Sequence, residues 1–160
     1  AAQALASFEN VRRRLELRGS AAGVSVYDDF AHHPTAMRTT INGLRRQIDA
    51  RWDPATQARP RILAVFEPRS NTMKQGTMKA QLPWALEEAD LSFCHSGGLD
   101  WDAAQALAPL GKLASVSDRI DTLVAGVVTA AQPGDHVLCM SNGGFGGVHG
   151  LLLKALAAQG

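Results

Sequence analysis

Two carboxylates and two imidazoles crowd residues 28–35, whose sequence is Asp-Asp-Phe-Ala-His-His-Pro-Thr. This stretch follows an alternating β-branched run and precedes an apolar pattern of helical period, so it is predicted to join a strand to a helix. Pro34 suits the first helical position, where a missing N–H costs nothing. These side chains could hydrogen-bond a ribose or a base. Helix capping by Asp29 and His33 is the alternative, and a metal site is disfavoured because no further ligand cluster accompanies them.

Arginine residues stand near the start of the chain, where Arg13 and Arg14 precede Glu16 on a predicted strand. The planar guanidinium offers a fork of donors that matches a phosphate group. A strand edge kept soluble by its charges would explain the same residues without a ligand. The net charge of the chain is only +1, so no global field attracts nucleic acid or a membrane.

A second polar loop, residues 67–74, follows the short apolar run of residues 61–66. Arg69 and Lys74 in this loop could bind a substrate carboxylate, and arginine does so in a bidentate geometry. Solvated charges on a loop without a ligand are the alternative.

A third loop, residues 141–147, is rich in glycine and precedes the last predicted helix. It lacks both the GxGxxG spacing of a dinucleotide site and the Lys-Ser/Thr pair of a P-loop. A tight turn with close packing of helix on sheet is therefore favoured, with Phe145 as a packing residue or an apolar lid. His95 and His149 are isolated in the sequence and are interpreted as structural.

Strand and helix patterns alternate along the chain. Strands at 11–18 and 23–29 are predicted to form an antiparallel hairpin with a turn at 19–23. Further strands are predicted near 61–66, 89–94, 113–116 and 136–140, and helices near 34–50, 78–89, 103–110, 118–131 and 148–158. Ser117 or Asp118 is expected to cap the fourth helix. The pattern predicts an α/β, Rossmann-like fold: a mostly parallel sheet flanked by helices, with an amino-terminal antiparallel hairpin. Because ligands bind at the carboxyl ends of such strands, the three polar loops are expected to form one shared site.

The length of 160 residues suits a single domain, residues 1–160. Residues 1–10 are interpreted as an interdomain linker remnant, and the absence of an initial Met predicts a piece of a longer protein. Cys94 and Cys139 lie in apolar runs, which predicts reduced core residues in a cytoplasmic protein. No apolar run approaches the roughly 20 residues of a membrane span.

The order of motifs resembles the carboxyl-terminal domain of the Mur ligases, the ATP-dependent amide-bond ligases of peptidoglycan synthesis. These motifs are Arg-Arg-x-Glu, Asp-Asp-Phe-Ala-His-His-Pro-Thr, Phe-Glu-Pro-Arg-Ser-Asn-Thr-Met-Lys and Met-Ser-Asn-Gly-Gly-Phe-Gly-Gly, and the resemblance spans residues 8–158. The Glu-Pro-Arg-Ser-Asn-Thr-Met-Lys block is similar to the murein-recycling branch. In the alanine-adding branch two arginines hold the amino-acid carboxylate, whereas Ser70 and Met73 occupy those positions here. The difference favours a larger amine substrate.

The resemblance implies a three-domain enzyme that joins UDP-N-acetylmuramate to the tripeptide L-Ala-γ-D-Glu-meso-diaminopimelate. Its amino-terminal domain would hold the UDP-sugar, its central domain would hold ATP and Mg²⁺, and this third domain would close over both. By the same resemblance, Arg14, Asp29 and His33 would face ATP. The tripeptide site would comprise Arg69, Ser70, Asn71, Lys74, Asn142 and Gly143.

No metal ligand is expected within this chain, and its lack of a P-loop predicts that the fragment alone is inactive. A stand-alone α/β module that binds a nucleotide or metabolite without catalysis is the alternative. Such a module would begin with Met and have no partner domain.

Overall fold

The computed structural model of the protein describes residues 14–68, 75–99, 101–141 and 143–159. The strands in this part of the chain are β1 Glu16–Ala21, β2 Val24–Asp29, β3 Ile62–Phe66, β4 Leu91–His95, β5 Ala114–Ser117 and β6 His136–Met140. Its α-helices are α1 Pro34–Arg51, α2 Gln75–Ala85, α3 Ala103–Ala106, α4 Ile120–Ala130 and α5 Val148–Gln159. Two 3₁₀ turns lie at Ala108–Leu113 and Phe145–Gly147.

The strands form one sheet in the order β1-β2-β6-β3-β4-β5. β1 and β2 pair antiparallel, and every other neighbouring pair is parallel. The predicted α/β fold, with a mostly parallel sheet and an amino-terminal hairpin, is therefore confirmed.

Helices cover both faces of this sheet. α1, α2 and α3 pack on one face, to which β3 contributes Ile62, Ala64 and Phe66. α4 and α5 pack on the other face, against Leu63 and Val65. Successive residues of a strand point to opposite faces, so a strand between two helical layers must be apolar throughout. This requirement accounts for the unbroken apolar run in β3.

The hairpin turn is shorter than the predicted 19–23, because it consists of Ala22 and Gly23 alone. These two residues have positive φ angles of 53° and 78°, as in the two-residue turns whose twist matches the flanking strands. Gly19 instead lies inside β1, where the pairing register shifts between Leu17 and Gly19. A glycine at such a bulge looks like a turn glycine in sequence, and only the pairing separates the two.

The predicted cap of α4 is wrong. The residue that precedes this helix is Arg119, and its side chain makes no capping hydrogen bond. Ser117 is instead the last residue of β5, where it pairs with His95 of β4. β5 therefore extends one residue beyond the predicted end at 116, through the polar residue Ser117.

The order of the strands places β6 between β2 and β3. β2 and β3 lead into α1 and α2 on one face, whereas β6 leads into α5 on the other. Where neighbouring strands send the chain to opposite faces, a crevice opens outside their carboxyl ends, and ligands bind there. This fold therefore has a crevice on each side of β6.

Both cysteines are buried and unbonded, as predicted. Burial raises the pKa of the Cys94 thiol to about 12 and also raises the pKa of Cys139. The two thiols stay protonated and pack as small apolar groups. Among the helices that the structure describes, none has the length and apolar character needed to cross a membrane.

Candidate functional site

A cleft of about 420 Å³ opens beside the carboxyl end of β2. Its lining residues are Arg14, Asp29, Phe30, Ala31, His32, His33, Ala36, Thr39 and Thr40. The fold thus brings together Arg14, Asp29 and His33, the three residues that were predicted to face a nucleotide. Arg14 reaches the cleft because the hairpin folds the start of β1 back to the end of β2.

Asp29 anchors this cleft through three hydrogen bonds to its carboxylate. The backbone N–H of Leu15 donates to Oδ2 at 2.9 Å. Oδ1 accepts from the N–H of Ala31 at 2.8 Å and from Oγ1 of Thr40 at 3.2 Å. These bonds join the segment before β1, the loop after β2 and helix α1, so Asp29 sets the shape of the cleft. Asp29 is only 5% exposed.

Aromatic rings form one wall of the cleft. His33 precedes Pro34, which starts α1 as predicted, but the imidazole of His33 makes no capping hydrogen bond. The rings of His32 and His33 meet edge to face, with centroids 5.0 Å apart, and Phe30 meets His32 in the same way at 5.6 Å. Phe30 is 38% exposed. Such a wall can stack against a nucleic base.

Arg14 adds an exposed guanidinium to the same cleft. Leu15 follows it with a φ of 49°, an uncommon backbone conformation for a branched residue. Its N–H bonds to Asp29, which holds this bend in place. A fixed backbone beneath an exposed arginine is suited to a phosphate group.

A second polar cluster lies on the other side of β6. Glu67 directly follows β3, and Ser141 directly follows β6. Ser141 Oγ donates to Glu67 Oε1 at 2.8 Å, and the N–H of Gly143 donates to Ser141 Oγ at 3.1 Å. This chain of hydrogen bonds crosses the crevice between the two strands.

His95, the last residue of β4, completes the cluster. Its Nδ1 lies 3.4 Å from Glu67 Oε2, without hydrogen-bond geometry. The imidazole packs beside Phe145, with ring centroids 6.1 Å apart, and Phe145 is buried as a packing residue. Gly97 leaves room for this imidazole, because a Cβ at that position would lie 2.9 Å from both His95 Nε2 and the carbonyl oxygen of Asp118.

Sequence reasoning missed this cluster and interpreted His95 as an isolated structural residue. Glu67, His95 and Ser141 each end or follow a strand, and that position was a usable signal. The missing information was the strand order, which makes β6, β3 and β4 successive neighbours.

Asp28 points away from the cleft beside β2, because alternate residues of β2 face opposite sides of the sheet. Its Oδ1 lies 3.0 Å from Nε2 of His149 on α5, and its Oδ2 lies 3.7 Å from Arg18. Asp28 and His149 are both buried. They join β2 to α5, which agrees with a structural role for His149.

Five residues of the predicted tripeptide site lie outside the described residues: Arg69, Ser70, Asn71, Lys74 and Asn142. The sixth, Gly143, lies at the crevice between β3 and β6 through its bond to Ser141. Within the described ranges, no group of three His, Cys, Asp or Glu side chains could hold a metal ion.

The sequence and the fold of this chain are similar to those of known proteins. The family model described as "Mur ligase, glutamate ligase domain" matches residues 13–143. The UDP-N-acetylmuramate–L-alanyl-γ-D-glutamyl-meso-2,6-diaminoheptandioate ligase of Escherichia coli is 51% identical over 99% of this chain and 33% of its own length. The Haemophilus influenzae ligase of the same name is 43% identical over 98% of this chain and 33% of its own length. A UDP-N-acetylmuramate–L-alanine ligase from Mycolicibacterium vanbaalenii is 39% identical over 87% of this chain and 29% of its own length.

The fold is also similar to a solved structure, a murein peptide ligase from Psychrobacter arcticus. The two share a TM-score of 0.77 and 35% identity over 91% of this chain and 30% of that one. This chain spans about a third of the length of the curated relatives that it matches. The family model covers most of the chain, and the chain therefore belongs to the Mur ligase family as its glutamate ligase, or carboxyl-terminal, domain.

Proposed function

We propose that this chain is the substrate-binding and closing domain of an ATP-dependent ligase in peptidoglycan recycling. The full-length enzyme joins UDP-N-acetylmuramate to the tripeptide L-alanyl-γ-D-glutamyl-meso-diaminopimelate. The observation that carries the proposal is 51% identity along nearly the whole chain to a relative named for this reaction. The alanine-adding relative from M. vanbaalenii is less similar, at 39%.

The cleft beside β2 is the proposed contact with ATP. Arg14 supplies a cation for the phosphates, and His33 lies in the ring wall that faces the ribose or adenine. Asp29 holds the backbone on two sides of this cleft in place, because its carboxylate accepts from the N–H groups of Leu15 and Ala31. ATP, as the substrate, supplies the phosphoryl group that activates the muramate carboxylate. This domain contributes to positioning, which is worth several kcal/mol of activation barrier in general.

The crevice between β3 and β6 is the proposed contact with the tripeptide. The residues assigned to it are Arg69, Ser70, Asn71, Lys74, Asn142 and Gly143. They belong to the loops that continue from Glu67 and Ser141. Arg69 and Lys74 supply cations for the carboxylates of the peptide. The position at a topological switch point supports this assignment.

Other domains of a longer protein are proposed to hold the UDP-sugar, Mg²⁺ and most of the ATP contacts. The sequence contains no Gly-x-x-x-x-Gly-Lys-Ser/Thr motif, the usual cradle for nucleotide phosphates. We therefore expect the isolated chain to be inactive and the full-length cytoplasmic enzyme to be active.

A ligation assay on the full-length protein tests this function. Phosphate release and product mass are measured with ATP, Mg²⁺, UDP-N-acetylmuramate and either the tripeptide or L-alanine. We expect kcat/KM for the tripeptide to exceed that for L-alanine by at least about 100-fold, because a site built for a larger polar acceptor discriminates strongly. Omission of the UDP-sugar is the control. A preference for L-alanine, or the absence of any ligation product, would contradict the proposal.

A further inference from the structure

Glu67 is a carboxylate at the crevice between β3 and β6, and its surroundings are known for the part of the chain that the structure describes. Among the described residues, no Lys or Arg nitrogen lies within 4 Å of it. Its neighbours are the hydroxyl of Ser141 and the imidazole of His95. The side chain of Glu67 is 20% exposed, so a ligand can reach it while much of its hydration is already lost. A carboxylate in such a position attracts a cationic ligand.

The hydrogen bonds around Glu67 hold it in one orientation. Ser141 Oγ accepts a hydrogen bond from Gly143 N–H and donates one to Glu67 Oε1. Donors arranged in series strengthen one another in a partly buried site. The second carboxylate oxygen, Oε2, accepts no hydrogen bond from the described residues, and His95 Nδ1 lies 3.4 Å from it without hydrogen-bond geometry. A carboxylate fixed in this way is preorganised for a directional bond to a ligand.

We propose that Glu67 binds the α-ammonium group of the acceptor peptide, the amine that becomes the new amide nitrogen. This inference rests on the proposed function, because it names the chemical group that the tripeptide presents to this crevice. An α-amino group titrates near pH 8, so it arrives largely as an ammonium ion at neutral pH. Glu67 draws this cation to the crevice between β3 and β6, and Ser141 is a positioning residue for the carboxylate.

The principal test is Glu67→Gln in the full-length enzyme, because the amide keeps an oxygen to accept from Ser141 but removes the charge. We expect KM for the tripeptide at pH 7 to rise about tenfold or more, as for other charge-assisted bonds. KM for ATP and for the UDP-sugar should stay within about twofold. Glu88→Gln is the matched control, because Glu88 is an exposed carboxylate outside this crevice. An unchanged KM for the tripeptide would overturn the inference.

The pH profile separates recognition of a charge from a structural effect. The ratio of KM in Glu67→Gln to KM in the wild type should fall toward 1 between pH 7 and about pH 9.5, because the α-ammonium loses its proton in that range. His95 is the titratable group within 4 Å of Glu67 among the described residues, so His95→Gln should keep the same midpoint near pH 8. A ratio that does not change with pH, or a midpoint that moves in His95→Gln, would overturn the inference.

A shorter acceptor identifies which amine Glu67 binds. L-Alanyl-γ-D-glutamate keeps the α-amine of the tripeptide and lacks the amine of diaminopimelate. The effect of Glu67→Gln on KM should persist with this dipeptide, and its disappearance would assign Glu67 to the distal amine instead. A wild-type enzyme that ligates neither acceptor would reject the proposed function itself, whereas normal wild-type activity with an unaffected Glu67→Gln variant would reject only the role of Glu67.

Discussion

The polar groups at the ends of β2 and β3 each include a carboxylate, and the two carboxylates have different surroundings. On the β2 side, the carboxylate of Asp29 accepts from two backbone N–H groups and a hydroxyl. On the β3 side, the carboxylate of Glu67 accepts one hydrogen bond from Ser141 and faces His95. The first carboxylate joins three segments of the fold, and the second is 20% exposed with one oxygen that accepts no hydrogen bond from the described residues.

This difference shows that a carboxylate at a strand end is not by itself a ligand site. The Asp29 carboxylate accepts hydrogen bonds from three different segments and is almost fully buried, whereas Arg14 and Phe30 in the same cleft are exposed. Glu67 follows a buried strand at a switch point, where the local backbone leaves more of its carboxylate available. Variants at these two strand ends test this division of roles, and His136 provides a reference at the other end of the sheet; the largest expected effect comes first and the smallest last.

Asp29→Ala should destabilise the chain by about 3 kcal/mol, because it leaves the buried N–H of Ala31 and the N–H of Leu15 without their acceptor. Urea denaturation of the 160-residue chain measures the change. Asp53→Ala is the matched control, since Asp53 accepts one N–H in an exposed turn, and it should cost less than about 1 kcal/mol. A stable Asp29→Ala variant would remove the contrast between the two carboxylates.

Arg69→Ala in the full-length enzyme should raise KM for the tripeptide by about 10- to 100-fold, because a charged donor to a substrate carboxylate is lost. KM for UDP-N-acetylmuramate should not change. Steady-state kinetics with each substrate varied in turn give the answer. A raised KM for the sugar alone would contradict the assignment of this loop to the peptide.

Arg14→Ala should raise KM for ATP about tenfold and leave the folding stability unchanged, because the guanidinium is exposed and serves the ligand rather than the fold. Arg46→Ala, an exposed arginine on α1 outside the cleft lining, is the control. The measurements are KM for ATP in the full-length enzyme and the melting temperature of each variant. A lower melting temperature with normal ATP kinetics would give Arg14 a structural role.

His136 is the first residue of β6 and lies at the end of that central strand opposite to the crevices. Its Nδ1 lies 2.8 Å from the Tyr27 hydroxyl, and burial lowers the pKa of His136 while it raises the pKa of Tyr27. At His136, the unfolded state therefore binds a proton more readily than the folded state. The contribution of neutral His136 to the free energy of unfolding should be complete above about pH 6.5. It should be lost as the pH falls toward the lowered pKa of His136 in the folded state.

The measurement for His136 is urea denaturation between about pH 5 and pH 8. His136→Gln should flatten this part of the stability profile without an effect on substrate kinetics in the full-length enzyme. The effect should be smaller than that of Asp29→Ala, because the imidazole is only partly buried. A profile that keeps its slope in His136→Gln would assign the pH dependence to other groups.

Much of the fold could be predicted from local patterns. The unbroken apolar run of β3 and the Pro34 start of α1 are confirmed within a residue or so. The hairpin was harder, because Gly19 at a bulge has the same local signature as a turn glycine. The cap of α4 was also missed, since Ser117 belongs to a strand pair that its neighbours in sequence do not reveal.

The candidate site divides in the same way. Arg14, Asp29 and His33 were predicted together, and the hairpin and the start of α1 place them in one cleft. The cluster of Glu67 and Ser141 could not be predicted, because those residues are 74 positions apart. They meet only through the position of β6 beside β3.

The sequence by itself determined the elements, the family and the three polar loops, because periodicity, turn residues and motifs are local properties. Tertiary structure decided which carboxylate is satisfied by the fold and which one faces a crevice. The physical reason is that hydrogen bonds such as Leu15 N–H to Asp29 and Ser141 to Glu67 depend on strand order and on which side of the sheet each helix packs. Both features depend on contacts between segments far apart in the sequence, such as the two buried clusters on the faces of the sheet.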